Sequence, residues 1–141
     1  MLTLIRPGST KGQALVELAF SLFLLMLIFF GITEFGRAMY LTNALNNAAR
    51  EGARRAVVSN LSDGKLNEPQ LQEQVKGYIP FDTTGIDVSI EPKTPVSSGT
   101  PVSVTVTLPF QPIARPLFNA LSPDIFPEDF KLTGHASMRY E

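Results

Sequence analysis

The chain divides by the spacing of its apolar positions. Leu18 to Thr33 (LAFSLFLLMLIFFGIT) is apolar on every face and carries no charge. Beyond it Phe35, Ala38, Met39, Leu41, Leu45, Ala48, Ala49, Gly52, Ala53, Ala56 and Val57 recur at three- and four-residue steps. Arg37, Asn43, Asn46, Asn47, Arg50, Glu51, Arg54 and Arg55 fill the other faces, an amphipathic helical pattern. No proline interrupts Gln13 to Val58, so the spacing predicts one helix of about 46 residues, some 70 Å long. Ser59 to Gly64 (SNLSDG) predicts a turn that stops it. A short amphipathic helix is expected from Glu68 to Tyr78, with Pro69 tolerated in its first turn. Strict alternation then predicts strands over Gly85–Glu91 and Val102–Leu108, joined by a long proline-containing loop, and a last strand over Lys131–Tyr140. One helical turn fits Arg115 to Leu121.

The predicted fold is α+β: a long N-terminal helix, half membrane-embedded and half exposed, packed on a small antiparallel three-stranded sheet. Residues 59–141 make a head that is marginal alone and needs the helix as its second layer. The small-residue stripe of Ala48, Ala49, Gly52 and Ala53 is the helix-packing face. It allows close approach by a neighbouring helix or, as the favoured use, by the head's own sheet.

The uncharged run alone is about 24 Å of helix, short of a ~30 Å hydrocarbon core. Extending it back through Ala14 gives a transmembrane segment at 14–33 and takes in Glu17. A carboxylate within a span costs roughly 2.5–3.5 kcal/mol on insertion scales, less near the end, so Glu17 marks either a functional group or the interface. A cleaved secretory signal fits poorly, since no A-x-A pattern follows the run and the n-region contains Glu17. Basic residues lie on both sides of it (Arg6 and Lys11 before; Arg37, Arg50 and Arg54 after), which leaves the orientation open.

Composition narrows the chemistry. Among 141 residues there is no cysteine and one histidine, which argues against disulfides, thiol catalysis and zinc sites, so no cofactor or metal is expected. The net charge of −1 is unevenly spread, positive through residue 56 and negative beyond it. A basic field for nucleic acid is lacking, and Arg50, Arg54 and Arg55 have no interleaved aromatics. His135 is expected on the polar face of the last strand, with no nucleophile motif to serve. Asp124, Glu128 and Asp129 lack the calcium-loop spacing. Neither catalysis nor a small-molecule substrate is expected.

Two stretches are more specific: Lys11-Gly12-Gln13-Ala14-Leu15-Val16-Glu17-Leu18-Ala19 before the apolar run, and Asn43-Ala44-Leu45-Asn46-Asn47-Ala48-Ala49-Arg50-Glu51-Gly52-Ala53-Arg54 near the end of the same helix. With the closing Ser137-Met138-Arg139-Tyr140-Glu141, they make the chain resemble TadE-like proteins, pilin-like components of the tight-adherence (Tad) secretion and Flp pilus machinery. That resemblance implies a leader at residues 1–12, cut by a prepilin peptidase between Gly12 and Gln13 on the cytoplasmic face. Glu17 becomes the fifth residue of the mature chain, where pilin-like proteins carry their assembly glutamate. It further implies a bacterial inner-membrane protein with its head outside the cytoplasm. Its partners would be other pilin-like subunits and Tad assembly platform proteins, and it would enter a pilus serving adhesion or secretion. Leu18 departs from the pattern, since related sequences often have an aromatic residue there. The rival reading is an uncleaved, membrane-tethered binding module of the cell envelope.

Overall fold

A computed structural model describes residues 10–63, 68–92, 99–121, 127 and 129–139. The predicted leader apart from Thr10–Gly12, the acidic residues Asp124 and Glu128, and the closing Tyr140 and Glu141 lie outside them.

Helix α1 runs Thr10–Asp63 without a break, 54 residues or about 80 Å. It passes through the turn expected at Ser59. Serine, asparagine and aspartate lower helix propensity only modestly, and each residue added to an existing helix gains a hydrogen bond without a new nucleation cost. Helix α2 (Glu68–Gly77) follows, with Glu68 in its first turn and Lys76 in its last, both suited to the helix dipole. Its buried side chains, Leu71 and Val75, are one turn apart and form its inner face.

Strands β1 (Asp87–Glu91), β2 (Pro101–Pro109) and β3 (Lys131–Arg139) form one antiparallel sheet in that order, with helix α3 (Arg115–Leu121) between β2 and β3. The register sets Ile90 against Val104 and Val104 against Ala136, so one face of the sheet is apolar across all three strands. The other face carries Ser89, Thr105 and His135 in a row. Valine-rich alternation at half-buried positions gives this result, since successive side chains point to opposite faces.

The apolar face lies on the distal half of α1, and α2 closes the layer beside it. Ala48, Ala49, Ala53 and Ala56 are fully buried together with Leu45, Val75, Ile90, Val102, Val104 and Val106. Two glycines allow close approach, Gly52 by valine side chains and Gly134 by main chain. A Cβ on Gly52 would stand 2.6 Å from Val75 Cγ2, and one on Gly134 would stand 2.6 Å from the backbone nitrogen of Asn46. Strand β3 therefore rests on the helix main chain itself. Each sheet edge also receives a bond from a helix side chain: the His135 N–H donates to Asn46 Oδ1 (3.2 Å), and Gln72 Nε2 donates to the Val88 carbonyl (2.9 Å). Edge groups that would otherwise invite a further strand are thus partly occupied.

Candidate functional site

The N-terminal half of α1 is built for surroundings other than this chain. Its most apolar window is long enough to cross a membrane, and none of it is buried inside the molecule. Phe20, Leu25, Phe29 and Ile32 are each more than 60% exposed, where large apolar side chains of a water-soluble domain are normally covered. Gly12 and Gln13 lie in the first turn and are exposed, and a Cβ on Gly12 would meet nothing beyond its own stretch of helix. Glu17 follows one turn later, also exposed. Gly12, Gln13 and Glu17 therefore share one accessible helix end, some 50 Å along the axis from the buried stripe at Ala48, Ala49, Gly52 and Ala53.

Between these regions lies a polar junction that the sequence patterns did not single out. Glu34 is the buried charged residue among those described, with 9% of its surface exposed. Its carboxylate accepts from the backbone N–H groups of Ile113 (2.5 Å) and Ala114 (3.1 Å), and from Arg37 Nε (3.3 Å). The Ala114 carbonyl in turn accepts from the N–H groups of Leu117 and Phe118, so Glu34 caps helix α3 from another element. Arg37 also donates to the Gln111 carbonyl (2.6 Å) and lies over the Phe110 ring, 4.5 Å from its centroid. The junction fastens the segment between β2 and β3 to α1 just past the apolar run. One signal for it was present: a glutamate and an arginine three residues apart on a helix.

A second ion-pair group sits near the far end of α1. Arg54 and Arg55 both contact Glu51, at 2.7 and 3.6 Å. Hydrogen bonding from Arg54 is the largest cause holding the Glu51 carboxyl below its usual range. Arg55 also lies 5.3 Å from the Tyr78 ring centroid, tying α2 to α1. His135 stays on the outer sheet face, and its ring makes no hydrogen bond or ion pair among the described residues. Asp129 is exposed.

Residues 12–54 match the family model described as TadE-like protein. The long helix is TadE-like. That segment takes in Gly12, Gln13, Glu17, the whole apolar run, Glu34, Arg37 and the alanine-rich stripe. Comparison with curated proteins and with solved structures returned no match. The TadE-like helix thus joins one continuous apolar N-terminal segment, compatible with single-pass membrane anchoring, to a sheet-bearing head.

Proposed function

We infer that the protein is a minor pilin or pseudopilin of a Tad/Flp-type system, a structural subunit rather than a catalyst. The observation that carries this reading is the coincidence of the TadE-like segment with a helix whose first half is apolar on all sides and, as far as Thr33, has no buried residue among those described. Such a surface needs lipid before assembly and neighbouring helices after it. Each large side chain removed from water contributes about 1.5–3 kcal/mol, so the two environments can exchange without exposing it.

On this reading a prepilin peptidase cuts after Gly12, and Gln13 becomes a charged amino terminus on the cytoplasmic side of the inner membrane. Glu17 then pairs with the Gln13 ammonium of an adjacent subunit. A lone charge in apolar surroundings is costly, and only a neighbour docked in register supplies its partner, so the pair selects assembly geometry. The head is displayed outside the cytoplasm, and Tad platform proteins and other pilin-like subunits bring the chain into a pilus for adhesion or secretion.

The test is the intact mass and N-terminal sequence of the protein from host membranes, with and without the peptidase. A start at Gln13 that depends on the peptidase is the expected result. A chain beginning at Met1 in both cells would replace this reading with an uncleaved tethered module. Glu17→Gln should leave membrane insertion intact and reduce recovery of the subunit in sheared pili; unchanged incorporation would remove the pairing step.

A further inference from the structure

The junction at Glu34 changes where the apolar surface ends. Counted from the sequence, the uncharged run stops at Thr33, after about 24 Å of helix, against a hydrocarbon core of ~30 Å. Glu34 is the first charge beyond it, yet two backbone amides and Arg37 hold its carboxylate inside the molecule. The surface it would have made polar stays apolar. Phe35 is 69% exposed, Met39 50%, and Ile113, supplied by the head, 76%.

Between α1 and the head a cavity of about 390 Å³ is lined by Gly31, Phe35, Ala38, Phe110, Phe118 and Leu132, among others. The Phe118 ring reaches to 4.0 Å from where a Cβ on Gly31 would stand, so the head touches α1 inside the uncharged run. Ile113 is held at the level of Glu34 by its own N–H bond. The cavity and Ile113 are therefore continuous with the surface of the span.

We propose that the base of the head is seated in the bilayer: Ile113 and the groove between α1 and α3 lie among lipid acyl chains, and the outer hydrocarbon boundary falls at Arg37. From Leu18 to Arg37 is about 28 Å of helix, which matches the core and leaves Glu17 at the inner boundary. Arg37, half-buried against Phe110, reaches the headgroups, as arginines near the ends of spans do. Asp129 and Lys131, exposed on either side of Phe130, remain at the headgroup level. This rests on the single-span reading above.

The absence of cysteine makes the test direct. Full-length protein with Phe23→Cys, Ile113→Cys or Val58→Cys is labelled with an environment-sensitive fluorophore. Each variant is reconstituted, dilute in lipid, in phosphatidylethanolamine–phosphatidylglycerol vesicles carrying nitroxide acyl chains. All three positions are exposed, so the substitutions leave the packing alone. A nitroxide near the headgroup end should quench Ile113→Cys by about two-fold, as for a side chain 5–10 Å into the interface. A nitroxide deep in the chain should quench Phe23→Cys, and neither should affect Val58→Cys. Quenching at Phe23 without quenching at Ile113 overturns the seating and keeps the span. Loss of quenching at Phe23 overturns both. An unquenched label at position 113, together with oxidative disulfide formation between unlabelled Ile113→Cys copies, assigns the groove to a neighbouring subunit, against the proposal.

Discussion

The two halves of α1 are one uninterrupted helix made stable by opposite means. From Leu15 to Ile32 most side chains are large, branched or aromatic, and they are exposed on every side. From Leu45 to Ala56 the inward positions are mostly alanine and glycine, and they are fully covered by strands and by α2. Bulk suits the first half if, as proposed above, lipid and neighbouring helices fill around it. Smallness serves the second because a sheet must lie close to the helix axis. Residue volume, more than hydrophobicity, separates the part of the helix that meets other molecules from the part that organises its own head.

The sharpest way to break the comparison is Gly134→Ala. Its new methyl would meet the main chain of α1 at Leu45 and Asn46, which cannot move aside as a side chain could. A loss of about 3 kcal/mol is expected, at the upper end of overpacking costs, read from denaturation of the head in detergent. A near-neutral result would mean that β3 does not rest on the helix. Next in size is Glu34→Ala, which leaves the Ile113 and Ala114 amides without an acceptor and α3 without its cap. About 2 kcal/mol should be lost locally, seen as faster amide exchange over residues 113–118 while β2 stays protected.

A smaller effect belongs to Glu51. Arg54 and Arg55 lower its carboxyl pKa in the folded chain, so the pair adds stability that is present above the ordinary carboxylate range. That contribution fades as the pH falls through the lowered value. Glu51→Gln should therefore lower stability slightly at neutral pH and converge on the parent in acid, which flattens this part of the acid limb of a stability–pH curve. Smallest of all is Leu25→Ala, on the outward-facing half: the head should melt within about 0.5 kcal/mol of the parent, because nothing in its core touches that side chain. A large shift there would erase the division between the halves.

The elements of the fold were legible where a local period carried them. Alternation gave β2 to within a residue at each end, Pro101–Pro109 against Val102–Leu108, and the buried stripe of α1 followed the three- and four-residue steps. The end of α1 lies beyond the turn that the pattern predicts because Ser59 to Asp63 favour turns only weakly, and a helix already formed extends through them. Glu34 escapes the local patterns for a different reason. Its decisive partners lie about 80 residues away, in a proline-punctuated stretch with no period of its own. Nothing local announces that a carboxylate will cap a helix so distant in the chain. For the alanine stripe the pattern allowed either a neighbour or the chain's own sheet. Burial of Gly52 against Val75 and Val104 shows what fills that face within one subunit.

The unbroken course of α1 past the Glu34–Arg37 junction has a mechanical consequence. Gly31 and Gly36 are the weak points of so long a helix, but Phe118 rests on the first and the junction braces the second. On the single-span reading proposed above, the helix is then a stiff lever with its fulcrum at the membrane surface. A span that tilts by 10° to suit a thinner bilayer would swing the far end of α1, about 39 Å beyond Arg37, sideways by roughly 7 Å. Membrane thickness is thereby converted into head position, and two subunits in the same patch of lipid present their sheets at the same angle before they meet.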